Sequence, residues 1–341
     1  MAHAILRELH WLIDATADFA RVDQRSEELT SVLASPTNKA PGSSCLTRWF
    51  YQLDSANDQL QADKHFQFPI QLLDRINSTE KLKSYFMLVS TSDIAHEGVD
   101  HQEESNEPLA DLTRLILRDG PPNNYAFDSK RKGSLLELVL HVLRDSTTGY
   151  WGERYVVDGR VQFIPDQSTT FHVINYLQGN VPEMGEVIDT TLAVKDRDTP
   201  VGWTYQGQQY DHNAMDVVTL FKWGWPHASL EQRREIAVEI QKMIDRCLHE
   251  SLRTDGSFKP LSAASSLEET TNFGVAFLSN AGFFDKSERF WTDRTFPNAE
   301  LISQRLIAFI EKHKSSGAVG GIYYDSALES LGVHPSVRSE R

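Results

Sequence analysis

Asp211, His212, Asn213 and Asp216 form the densest set of proton-moving groups in the sequence. His212 and Asp216 stand four residues apart, so a helix would place both on one face. A carboxylate there orients the imidazole and raises its pKa, which suits a general acid or base near neutrality. The same residues also have plainer uses. Asp211 can be an N-cap that accepts hydrogen bonds from first-turn amides, and His212 with Asp216 can be a pair that only holds the helix. His172 lies among apolar residues in "TTFHVINYL" and reads either as a satisfied core histidine or as a second catalytic group. Glu268 and Glu269 precede another helical run. They can favour the positive end of its dipole or supply the carboxylate partner in acid/base work.

A further group, His96, Glu97, Asp100 and His101 in "DIAHEGVDHQEE", has metal-ligating side chains. Its spacing matches no zinc or calcium signature; a solvated loop is expected there, and no metal or cofactor. Aromatic residues are concentrated over about residues 130–330. Tyr150, Trp151, Tyr155, Trp203, Tyr205 and Tyr210, with Asn213 and Asn272, are the candidate substrate contacts. Trp151 also reads as a structural plug between repeats, and packing is the first reading of Trp223 and Trp225. The sequence has no GxSxG, no P-loop, no GxGxxG opening a helix and no HExxH, so nucleotide use and those hydrolytic chemistries are not indicated.

The elements that must hold these groups are mostly helices. Apolar residues recur at helical spacing over 134–145, 183–194, 216–225, 230–252, 270–284 and 299–313. The 230–252 run is the clearest: Ile236, Ile240, Met243, Ile244, Cys247 and Leu248 share one face, and charges fill the other. Residues 154–164, with Asp158-Gly159 between apolar flanks, predict a small β-hairpin decorating a loop. Further helices are expected at 27–35, 44–60, 68–76, 80–89 and 107–119. Two Pro/Gly/Asn-rich breaks fall at 35–44 and 119–134, and the second is the better subdomain boundary.

A degenerate repeat runs through the helices. Gly149 precedes Tyr150 and Trp151, Gly202 precedes Trp203, Gly256 precedes Phe258, and Gly320-Gly321 precede Tyr323 and Tyr324. Each follows a helical run and leads to a polar helix start. Such a period predicts an array of helical hairpins. The segments "STTGYWG" and "RTDGSF" resemble the Gly-x-aromatic repeats of the terpenoid cyclase/protein prenyltransferase α/α-toroid superfamily. They are similar also to repeats of α/α-barrel glycan hydrolases, lyases and epimerases. The resemblance covers about residues 130–330. It implies an all-α toroid: two concentric layers of helices closed into a ring, with a cavity at one end and the small β-hairpin as an insertion. The chain then reads as a single toroid domain over 1–341, with less regular helices over 1–120. It departs from the cyclases in lacking DxDD and DDxxD; Asp196 and Asp198 are the nearest acids. The zinc set of the prenyltransferases is also absent.

The chain has 341 residues, 40% of them hydrophobic, and a net charge of -14. That charge repels phosphate backbones and anionic membranes, so neither nucleic acid nor membrane is an expected partner. No run approaches the ~18 to 20 apolar residues of a membrane span, and the N-terminus does not read as a signal peptide. The two cysteines build no disulfide framework, which gives a soluble, cytoplasmic expectation. The function expected is acid/base chemistry (hydrolysis, elimination or epimerisation) on a carbohydrate or similar polar small molecule, an oligosaccharide included. A cyclase or isomerase with an unusual acid, and a non-catalytic binding or scaffold protein, are the alternatives.

Overall fold

A computed structural model describes residues 78–98, 100, 129–260, 266–314 and 322–333. The expected helices at 27–35, 44–60, 68–76 and 107–119, the break at 35–44 and most of the one at 119–134 lie outside these residues. So do Cys45, His101 and Gly320-Gly321. The chain divides into two compact units, Met1–Leu177 and Gln178–Arg341.

In the first unit, helix α1 (Thr79–Val89) starts where the Ser78 hydroxyl accepts the Lys81 amide. Strand β1 (Thr91–Ser92) and the short helix α2 (Ile94–Glu97) follow. Helix α3 (Ser129–Glu137) runs into a widened π turn over Leu138–Leu143. The Val139 carbonyl in that turn accepts the Trp151 indole N–H at 2.7 Å. Strands β2 (Gly152–Val157) and β3 (Arg160–Pro165) form the expected hairpin. Its turn residues Asp158 and Gly159 have φ of 50° and 70°, the left-handed pair that a tight two-residue hairpin needs. Helix α4 (Gln167–Tyr176) is capped by the Asp166 carboxylate, which accepts the Thr169 amide at 2.7 Å.

The second unit contains helix α5 (Met184–Ala193), strands β4 (Thr204–Tyr205) and β5 (Gln208–Gln209), and helix α6 (Asp211–Gly224). Helix α7 (Leu230–Arg246) opens on a capping box of Ser229 and Gln232 and ends in a second π turn, Cys247–Ser251. Helices α8 (Leu267–Asn280), α9 (Ala299–Lys314) and α10 (Ile322–Ser330) complete it. Alternate helices are neighbours: α6 packs on α8 and α8 on α10. The apolar face read on α7 is the buried one, with Ile236, Ile240, Ile244 and Cys247 fully covered and Leu248 at its margin.

The Gly-aromatic loops are core elements. Tyr150, Trp151 and Phe258 have no exposed surface, and Trp203 almost none. The glycines serve for different reasons. Gly256 has a φ of 93°, which other residues adopt only under strain. At Gly202 a Cβ would lie 2.3 Å from the Val194 carbonyl oxygen, so backbone crowding excludes a side chain.

The all-α toroid expectation is corrected. The architecture is mixed: β1, β2 and β3 form a three-stranded sheet, with β1 parallel to β2, and β4–β5 form a second sheet. The hairpin is therefore part of a sheet rather than a lone decoration. The strands missed are two residues long, too short to show the alternation by which a strand is read from sequence.

Candidate functional site

A cleft of about 480 Å³ opens in the second unit where the β4–β5 hairpin, the start of α6 and the end of α7 meet. Gly207, Gln208 and Gln209 of the hairpin line one side, and Tyr210 and Asp211 continue from them. Arg246, Glu250 and Ser251 come from the end of α7, and Lys259 and Pro260 from the loop after it. Tyr210 is the extended N-cap residue of α6. Asp211 is thus the first helical residue and not the cap, which corrects the simpler role given to it.

The Asp211 carboxylate faces α7. It is buried and accepts from Arg246 Nη2 through one oxygen and from the Ser251 hydroxyl through the other. The Cys247 thiol lies against the same carboxylate; burial, and then that negative charge, push its pKa up. The π turn matters locally because it carries Cys247 and Ser251. Beyond it the chain folds back: the Lys259 amide donates to the Ser251 carbonyl at 2.8 Å and the Arg253 amide to the Ser257 carbonyl at 2.8 Å. This turn brings Lys259 to the rim. Glu250 and Lys259 are exposed.

Of the other sequence candidates, Tyr205 is exposed on β4, and the rest have structural surroundings. The His212 ring lies flat on Phe273, with centroids 3.7 Å apart and planes 7° apart. Asp216 and Asn213 are buried, and Asn213 donates to the Trp203 carbonyl at 3.1 Å. Glu268 accepts the Tyr323 and Tyr324 amides at 3.1 and 3.4 Å, closing the start of α10, and burial pushes its pKa up. The Glu269 amide donates to Ser266, the cap of α8. Asn272 is buried, and its Oδ1 has no hydrogen-bond partner among the described residues.

His172 belongs to the first unit. It is partly buried, 5.9 Å from the Tyr176 ring and nearly parallel to it. Burial lowers its pKa to about 4, so the ring is neutral at pH 7 and a weak base. Tyr150 and Trp151 have no surface to offer a substrate. The Tyr155 hydroxyl donates to Glu153 at 2.7 Å, and burial with that carboxylate raises its pKa. His96 pairs with Asp93 at 2.8 Å at the start of α2. Among the described residues no group of three or more His, Cys, Asp or Glu side chains is placed to hold a metal ion.

The sequence reading therefore found Tyr210 and Asp211 of the cleft, with Tyr205 beside it, and missed Arg246, Glu250, Ser251, Lys259 and the two glutamines. Arg246, Glu250 and Ser251 read only as the end of an amphipathic helix. No motif marks them, since it is the packing of the end of α7 and its π turn against the start of α6 that brings Arg246 and Ser251 to Asp211. Asp196 and Asp198 are exposed and lie outside the cleft lining. Hydrogen bonds from Thr204 and Gly207 hold Asp198 below the usual carboxylate range, the opposite of what a proton donor needs.

No protein-family model, curated protein or solved structure matches the chain. No helix among the described residues is long and apolar enough to cross a membrane.

Proposed function

We propose that the cleft binds a carbohydrate or similar polar small molecule, and that Glu250 is the group that exchanges a proton with it. The observation that carries this is the lining. Two carboxylates, Asp211 and Glu250, face two cations, Arg246 and Lys259, and are joined by glutamines, a serine and one tyrosine. The formal charges cancel, so the cleft favours neither an anion nor a cation. It offers acceptors and donors at close quarters beside a single ring. That combination suits a neutral, polyhydroxylated molecule, because each hydroxyl both donates and accepts.

Asp211 is committed to Arg246 and Ser251. Glu250 forms no ion pair among the described residues and is an exposed residue of the lining, accessible as a general acid or base must be. An apolar cyclase substrate fits this lining poorly. A reducing, cytoplasmic setting completes the proposal: the described cysteine, Cys247, is a free, buried thiol. The net charge of -14 argues against nucleic-acid and membrane partners.

Saturation-transfer NMR with neutral methyl glycosides and myo-inositol tests the reading. Binding is expected, and Glu250→Gln should weaken it about tenfold, the scale of one hydrogen bond to a charged group. Absence of transfer to every neutral sugar, or affinity unchanged in both Glu250→Gln and Lys259→Met, overturns it.

A further inference from the structure

We propose that Asp198, outside the cleft, is a positioning residue for it: its carboxylate clamps the tip of the β4–β5 hairpin and so fixes the wall formed by Gly207, Gln208 and Gln209. The inference rests on the reading of the cleft as a binding site and adds what sets its shape.

The hairpin cannot hold that wall alone. Its ladder has two residue pairs, Thr204 with Gln209 and Tyr205 with Gln208, and an isolated two-stranded ribbon is marginal in water. Its root is secured. Trp203 is buried and its carbonyl accepts from Asn213; the Thr204 amide donates to the Arg197 carbonyl at 3.0 Å and the Thr199 amide to the Thr204 carbonyl at 2.7 Å. The tip has no such packing, since Tyr205, Gln206, Gly207 and Gln208 are all exposed. Gln206 and Gly207 have φ of 52° and 73°. In such a turn the ladder bonds belong to the flanking residues, so the Gly207 N–H is left to bond outside the ladder. Asp198 Oδ1 accepts it at 2.9 Å, and the same oxygen accepts the Thr204 hydroxyl at 2.5 Å. One carboxylate oxygen therefore joins root to tip, and the residues after the turn face the cleft.

The test uses the full chain labelled with [15N]glycine, the Gly207 cross-peak being assigned by its loss in Gly207→Ala. A carboxylate-bound amide is shifted downfield and exchanges slowly. Asp198→Ala should move the Gly207 amide upfield and speed its exchange roughly tenfold or more, the scale of losing one charge-assisted bond. Asp198→Asn keeps an Oδ1 acceptor and should restore most of both signals, which a merely destabilised fold would not do. Asp198 is exposed, so the core survives either change. Methyl glycosides that bind the wild type should bind Asp198→Ala several-fold more weakly, with Asp198→Asn in between. An unchanged Gly207 shift and exchange rate in Asp198→Ala overturns the clamp, and so does an altered amide with unaltered glycoside affinity. If the wild type binds no glycoside, the carbohydrate reading fails while the amide signals still decide whether Asp198 holds the tip.

Discussion

Replacing Asp211 by alanine tests whether its carboxylate organises the end of α7 beside the cleft. The carboxylate is 4% exposed and its partner Arg246 is 16% exposed. Removing the acid strands a mostly buried guanidinium and leaves the buried Ser251 hydroxyl without its acceptor. Breaking a buried pair from one side costs about 3–5 kcal/mol. Arg246 keeps some contact with water, so the lower end, about 3 kcal/mol, is expected. For a unit of this size each kcal/mol lowers Tm by roughly 2–4 °C, which gives a fall of about 6–12 °C. Urea titration followed by circular dichroism at 222 nm measures the loss, and Arg246→Met in the same background completes a double-mutant cycle. The double variant should be more stable than Asp211→Ala alone, because the stranded charge has gone. A loss below about 1 kcal/mol for Asp211→Ala, or strictly additive losses in the cycle, would show that Asp211 does not organise the end of α7.

Two further outcomes follow from packing and titration. Gly274→Ala on α8 would place a Cβ 2.5 Å from the Phe258 ring; overpacking of about 1–3 kcal/mol should outweigh the gain of about 1 kcal/mol in helix propensity, and Phe258→Leu should relieve the clash in a chemical-denaturation series. His172, neutral in the folded chain down to a pKa of about 4, gains its proton near pH 6.5 when unfolded. Its contribution is therefore intact above about pH 6.5 and is lost as pH falls toward 4. Between pH 7 and 5 the wild type should lose up to about 2 kcal/mol more than His172→Gln, at about 1.4 kcal/mol per pH unit for one proton; equal losses in unfolding curves at the two pH values would refute this.

The local chemistry was legible where one residue type settles one conformation. Asp158-Gly159 announced a hairpin because few residue pairs accept two left-handed positions in succession. The stripe on α7 announced its buried face because apolar residues at helical spacing have one way to leave water. The Gly-aromatic loops were legible only in part: Gly256 takes the left-handed conformation read for it, but Tyr150, Trp151 and Trp203, read also as substrate contacts, are buried. Strand β1 was not legible, because a two-residue strand carries no period and its partner β2 is some sixty residues away in the chain.

The candidate site divides along the same line. By itself the sequence determined which groups are available, that Asp211 and Tyr210 stand at a helix start, and that the net charge of -14 disfavours polyanionic partners. The tertiary structure alone decided which of those groups meet. His212 lies on a phenylalanine ring, Glu268 closes the start of another helix, and His172 belongs to the other unit. Asp211 instead meets Arg246 and Ser251, some thirty-five and forty residues further along. A side chain's type is written at its own position, but its partner is chosen by where a distant helix ends, and here that helix ends in a π turn that carries Ser251.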